Sequence, residues 1–198
     1  TEFQRRDVSR LLELNHGANF SVPGAGKTRA TLALFHDRRE AGQVNRLLVV
    51  APKAAFESWQ SGIVECYGDR APTVTVMDSG VVPLSDIVLI NYERLPDAYG
   101  ALIGWLRDQP ALVVLDEAHR MKRGPSGAWG AACLAMAPYA ESRVILSGTP
   151  APNGAQDLAN VFSFVWPGQG RARVLDALRD RDLGEASELL RPLFVRTT

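Results

Sequence analysis

Asn19-Phe20-Ser21-Val22 runs straight into Pro23-Gly24-Ala25-Gly26-Lys27-Thr28, and from there into a helix-like stretch over residues 27–40. A short apolar run, a glycine turn ending in Lys-Thr and a helix make a strand–loop–helix unit. Glycines let backbone N–H groups turn inward around phosphate oxygens, and the helix N-terminus adds positive potential. In that setting Lys27 is placed to reach the β- and γ-phosphates of a nucleotide, and the Thr28 hydroxyl to hold Mg²⁺. The plainer alternative is a glycine turn followed by a surface lysine. The full pattern G-x-x-x-x-G-K-[ST] lacks its first glycine, because Ser21 stands there. With only three lysines in the chain, one behind a strand and opening a helix is best read as part of a phosphate loop.

Outward from this unit, short apolar runs recur at residues 18–22, 47–51, 74–77, 87–90, 112–115 and 144–146. They are mostly β-branched, and several lack in/out alternation, which suits strands buried on both faces. Helix-like segments lie between them, at 27–40, 54–66, 97–107, 126–136 and 155–164. Strands alternating with helices predict an α/β domain, a mostly parallel sheet sandwiched by helices. Pro167, Gly168 and Gly170 interrupt the chain, and two short helices are expected after them, at 171–180 and 183–190. This divides the chain into a main domain over 1–168 and a helical extension over 169–198. Ligands of such sheets sit at the carboxyl ends of the strands.

Two more strand ends carry chemistry. Leu112-Val113-Val114-Leu115 leads into Asp116-Glu117-Ala118-His119. Asp116 would hold Mg²⁺ through its water shell, and Glu117 would orient or deprotonate an attacking water. Alone, this string also suits a solvated helix start; behind a phosphate loop and a buried strand it points to a nucleotide site. His119 is expected to link this loop to a neighbouring strand end. Val144-Ile145-Leu146 ends in Ser147-Gly148-Thr149-Pro150, small residues that allow close approach to the acidic loop.

Composition narrows the class. The 198 residues carry 22 basic and 22 acidic side chains and are 46% hydrophobic, as in globular proteins. Cys66 and Cys133 can build neither a disulfide framework nor a four-cysteine zinc site. No apolar run reaches the roughly 18–20 residues of a membrane span, and residues 1–10 do not resemble a signal peptide. The expectation is a soluble intracellular protein, cytoplasmic if prokaryotic or phage-encoded. Zero net charge argues against a generic basic DNA-coating protein, though not against a local phosphate-tracking face. The chain opens on Thr1, inside a helix-like stretch, and is expected to be a piece of something longer.

Taken together, these strings resemble the first RecA-like lobe of superfamily-two helicases, with its DEAH box, and within them the Swi/Snf family of double-stranded DNA translocases. Phe3-Gln4 is similar to an aromatic-Gln pair whose Gln contacts adenine. Leu48-Val49-Val50-Ala51-Pro52-Lys53, then Trp59, resembles the segment whose loop grips a DNA strand, and Ile90-Asn91-Tyr92-Glu93 the next DNA-side motif. Val113-Val114-Leu115-Asp116-Glu117-Ala118-His119-Arg120-Met121-Lys122 is close to the acidic box and its basic continuation. Ser147-Gly148-Thr149-Pro150-Ala151-Pro152-Asn153, followed by Leu158, Phe164, Pro167 and Gly168, is the most family-specific string. Leu193-Phe194-Val195-Arg196-Thr197-Thr198 is similar to the basic segment that closes the lobe.

The resemblance implies a RecA-like P-loop NTPase fold. ATP would lie against Gln4, Gly24, Ala25, Gly26, Lys27 and Thr28, with Mg²⁺ on Thr28 and Asp116. Lys27, Asp116 and Glu117 would carry catalysis, while His119, Ser147, Gly148 and Thr149 would couple the two ligands. Duplex DNA would lie across Pro52, Lys53, Asn91, Tyr92, Thr149 and Asn153, through phosphate contacts with little sequence preference. The phosphate loop departs from the family's acidic residue and Met-Gly-Leu-Gly, which leans toward bacterial or viral relatives. Arg196-Thr197-Thr198 only partly matches Arg-Arg-Thr-Lys. The family completes its site with arginine fingers from a second RecA-like lobe, worth roughly 10³–10⁵ in rate in phosphoryl transfer. Nothing after Phe194 reads as such a lobe, so the chain is expected to bind nucleotide and turn it over poorly alone. Two other readings stand beside this one: another P-loop NTPase such as a small-molecule kinase, and a nucleotide-gated interaction module without useful catalysis.

Overall fold

The computed structural model describes residues 2–78, 80–82, 84–179 and 188–196, with residues 2–4 as backbone only. Its helices are α1 (Glu2–Glu13), α2 (Lys27–Glu40), α3 (Phe56–Tyr67), α4 (Leu95–Asp108), α5 (Ala128–Met136), α6 (Ala155–Val165) and α7 (Gly170–Arg179). Its strands are β1 (His16–Asn19), β2 (Arg46–Val50), β3 (Val74–Val76), β4 (Ile87–Ile90), β5 (Ala111–Asp116), β6 (Ser142–Leu146) and β7 (Phe194–Val195). They form one seven-stranded sheet in the order β3-β4-β2-β5-β6-β1-β7, and every adjacent pair runs parallel.

Continuous apolar runs make this sheet because both of its faces are covered. Leu47, Val49, Ile87, Leu89, Leu112 and Val114 pack with Leu32, Phe35, Trp59 and Ile63 of α2 and α3. The intervening Leu48, Val50, Val88, Ile90, Val113 and Leu115 pack with residues of α4, α5, α6 and α7. All six residues of β5 are buried, each large aliphatic among them contributing about 1.5–3 kcal/mol. That strand anchors the acidic loop rigidly.

Two expectations are corrected at the chain's ends. The first strand is His16–Asn19 rather than residues 19–22, because the backbone leaves the sheet after Phe20. Phe20 N–H still donates to Val195 O at 2.8 Å, but Val22 is already 39% exposed. The stretch beyond residue 168 is also more than a helical extension: Phe194 and Val195 pair with Ala18 and Asn19 as the seventh strand. Val174, Ala177 and Leu190 belong to the same core as the main domain. Most of the helix expected at 183–190 lies outside the described residues, as do Thr197 and Thr198.

The amino ends of the strands are closed by two buried arginines with no carboxylate partner among the described residues. Arg38 donates to Leu11 O at 3.0 Å, Leu14 O at 2.6 Å and the Ser142 hydroxyl. Arg143 donates to Val165 O, Ala137 O and Ala140 O at 3.1, 2.6 and 3.2 Å. Most of these carbonyls belong to helix C-termini, where the backbone leaves acceptors unpaired and a cation is favoured. Burial lowers both guanidinium pKa values, Arg38 to about 10. His16, opposite Arg143 in the ladder, is held neutral: burial and then the charges of Arg143 and Arg38 bring it to about 4.

Candidate functional site

The phosphate loop leaves β1 and turns on two glycines in the left-handed region, Gly24 at φ 81° and Gly26 at φ 78°. A side chain at either position is strained, which explains the composition of the turn. Gly26 caps α2, so Lys27 and Thr28 are its first two residues. Lys27 Nζ folds over the loop and donates to Ser21 O at 2.9 Å and Val22 O at 3.2 Å. Ser21, in place of the first glycine of the pattern, is buried with its backbone N–H on Asn19 Oδ1 at 3.0 Å. The side chain of Gln4 lies outside the described residues.

Asp116 and Glu117 face this loop across a cleft of about 410 Å³, lined by Gly24, Gly26, Lys27, Thr28, Asp116 and Glu117 among others. In the sheet, β6 separates β5 from β1, so the cleft spans the carboxyl ends of all three strands. Asp116 is 9% exposed, and both its carboxylate oxygens are engaged. Oδ1 accepts the Glu117 N–H at 2.9 Å, and Oδ2 accepts the Trp59 indole N–H at 2.9 Å. Burial raises the Asp116 pKa above the ordinary carboxylate range; the Trp59 hydrogen bond opposes that shift. Glu117 takes φ 50° and ψ 51°, the one non-glycine residue among those described with positive φ. Such a conformation costs about 1 kcal/mol or more and concentrates at functional sites.

His119 Nδ1 lies 3.3 Å from Glu117 Oε2 and 3.4 Å from Ser147 Oγ, joining the acidic loop to the end of β6. Ser147 is fully buried; its Oγ accepts the Thr149 N–H at 3.2 Å, and its own N–H donates to Asn19 O at 3.1 Å. Ser147 therefore touches the phosphate strand on one side and the acidic loop on the other. Gly148 packs against Pro23 of the phosphate loop. The residues expected to couple the ligands are thus brought together between the two halves of the cleft.

The residues expected to meet DNA divide into two groups. Lys53, Thr149 and Asn153 are exposed and Pro52 is half-buried, all at or just beyond carboxyl ends of strands. Asn153 is held by its N–H and Nδ2, each 3.0 Å from Asp157 Oδ2. Tyr92 is corrected: it has no exposed surface, and its hydroxyl donates to Asp116 O at 2.8 Å. Asn91 is 7% exposed, and its Oδ1 accepts the Arg94 N–H at 2.8 Å ahead of α4. Both side chains shape the strand end from within rather than present it to a ligand.

Sequence reasoning passed over the far wall of the cleft. Ser58, Ser61, Gly62 and Glu65 of α3 line it, and Arg29 at its mouth pairs with Glu65. Their spacing of three, four and seven residues is one face of a helix, and its small and polar character is the signal.

The donor set fits Mg²⁺ bound jointly with a nucleotide. Among the described residues no group of three or more His, Cys, Asp or Glu could hold a metal. One hydroxyl and one carboxylate beside a phosphate loop suit an ion that keeps several waters and takes phosphate oxygens. No helix among the described residues is long and apolar enough to cross a membrane.

Comparison with known proteins agrees with this architecture. The SWI2/SNF2 ATPase core of Sulfolobus solfataricus in complex with dsDNA superposes with a TM-score of 0.77 at 21% identity, over 99% of this chain and 44% of that one. That likeness is one of fold. DNA excision repair protein ERCC-6-like of Mus musculus is 27% identical, over 88% of this chain and 16% of that protein. DNA repair and recombination protein RAD54 of Oryza sativa subsp. japonica is 27% identical, over 73% of this chain and 16% of its own length. The chain therefore spans about one-sixth of these curated relatives. The SNF2-related domain matches residues 20–187, five of the seven strands (β2–β6) together with the cleft, and this chain belongs to the SNF2-related domain family.

Proposed function

We propose that this chain is the ATP-binding lobe of a DNA-dependent ATPase that moves on duplex DNA. The observation that carries the reading is the meeting of Lys27, Thr28, Asp116 and Glu117 in one cleft at the carboxyl ends of β1 and β5. Lys27 exchanges its loop carbonyls for phosphate oxygens, and the loop N–H groups and the α2 N-terminus complete the cradle. Thr28 and Asp116 hold Mg²⁺, which when bound neutralises charge on the phosphates. Glu117 orients the attacking water and takes its proton. His119 and Ser147 carry the state of that carboxylate to the β6 end. Pro52, Lys53, Thr149 and Asn153 meet the DNA backbone, so binding is weakly sequence-specific and falls with salt. A second RecA-like lobe supplies arginine fingers to the γ-phosphate. The departures in the phosphate loop favour a bacterial or phage source.

The test is nucleotide binding and turnover by this chain, with and without duplex DNA. ATP binding that Lys27→Ala abolishes and Glu117→Gln retains, with little turnover, is the expected result. Absence of ATP binding by the wild-type chain overturns the reading. Robust DNA-stimulated turnover that Glu117→Gln lacks overturns the need for a second lobe.

A further inference from the structure

Trp59 lies in the first turns of α3, directly after the Pro52-Lys53 turn, and is wholly buried. A buried indole N–H needs an acceptor, and many backbone carbonyls satisfy one. Trp105, by contrast, has its indole nitrogen buried without a hydrogen-bond partner among the described residues. Trp59 instead spends its N–H on Asp116, a buried carboxylate on the cleft wall, at 2.9 Å. The opposite oxygen is fixed by the Glu117 backbone, itself locked in a left-handed turn. Each carboxylate oxygen has two lone pairs, so each keeps one for the cleft. The carboxylate plane is set by these two donors together, one local and one from another element.

We propose that Trp59 is a positioning residue for the metal: its indole N–H fixes the Asp116 carboxylate in the orientation that receives the water shell of Mg²⁺. The inference rests on the Mg²⁺–nucleotide reading above. Partners that orient a metal ligand are worth about 10–100-fold in metal affinity. Tyr92 supports the same residue from behind, on its main-chain carbonyl, so two segments at neighbouring strand ends converge on Asp116. A shift of the α3 start, such as a ligand on Lys53 would cause, then reaches Asp116 through one side chain.

Trp59→Phe keeps most of the ring and removes the donor. ADP is titrated calorimetrically into the wild type and the variant over a Mg²⁺ series and in EDTA. The expected result is unchanged affinity in EDTA and about a tenfold rise in half-saturating Mg²⁺. An unchanged Mg²⁺ requirement, or an equal loss in EDTA, overturns the inference; the second outcome is what a packing role alone produces. If the variant does not fold, the wild-type indole ¹H–¹⁵N spectrum takes its place, assigned by Trp105→Phe, Trp129→Phe and Trp166→Phe. The Trp59 signal moves when Mg²⁺ joins ADP and stays still with ADP in EDTA; a signal that Mg²⁺ leaves in place overturns the proposal. Wild-type chain without Mg²⁺-dependent binding overturns the nucleotide reading and the inference with it. Normal Mg²⁺ dependence in a folded Trp59→Phe chain overturns the inference alone.

Discussion

Gly148 stands so close to Pro23 that a β-carbon on it would lie 3.0 Å from the proline Cδ. The end of β6 and the phosphate loop are thereby in direct contact. Gly148→Ala must push the loop outward by a few tenths of an ångström. Nucleotide affinity is expected to fall several-fold, while the melting temperature moves little because Pro23 is exposed. Calorimetry and thermal unfolding on the same sample check both halves.

Glu117 pays for its position with a left-handed backbone. Replacing a residue by glycine usually costs about 0.4–1 kcal/mol through the unfolded chain. At this site relief of strain of about 1 kcal/mol or more offsets that cost. Glu117→Gly is expected to be at least as stable as the wild type in urea unfolding, and devoid of hydrolysis. A loss of more than about 1 kcal/mol contradicts the strain argument.

Arg38 closes the sheet floor with donors to two carbonyls and a hydroxyl. Removing it strands these buried acceptors, and Arg38→Ala is expected to cost about 3 kcal/mol. Arg38→Lys should recover little, since an ammonium lacks the planar fork that reaches all three. Denaturant unfolding of the two variants side by side gives the answer.

His16 has its pKa lowered to about 4 by burial and by Arg143 and Arg38. Between that value and the unfolded value of about 6.5, the unfolded chain binds a proton that the folded chain refuses. Stability therefore falls as the pH drops through this window, by at most about 1.4 kcal/mol per pH unit, and is level in this respect above it. His16→Asn should flatten the melting temperature between pH 6.5 and 4.5; an undiminished slope assigns the effect to other groups.

The buried strands and the helices between them were legible in the sequence because β2, β4 and β5 are sealed on both faces and so read as unbroken apolar runs. His16 and Gly17 hid the start of β1, since neither has a strand-like side chain and the strand lies one place from the sheet edge. Phe194 and Val195 hid β7 for a different reason: two residues give no period to detect. Within the cleft, Lys27, Thr28, Asp116 and Glu117 were readable from local strings. Tyr92 and Asn91 were misplaced on the surface because motif strings record which residues recur near a ligand, not which way their side chains turn. Their hydrogen bonds to Asp116 and Arg94 exist only in three dimensions.

Among the described residues, the strand that launches the phosphate loop pairs with β6 and β7, whose residues begin at 142 and 194. The glycine turn and Lys27 are thus encoded near the start of the domain and framed near its end. A ribosome must deliver some 180 residues after His16 before both neighbours of β1 exist, and pairings over such separations form slowly. Throughout synthesis, the half-sheet β3-β4-β2-β5 can assemble while the segment carrying Lys27 waits. Cutting the gene at residue 168 would therefore leave that segment with an open flank at Ala18 and Asn19 and Phe20 without its Phe194 ring contact at 5.3 Å. A fragment meant for expression has to run past Val195.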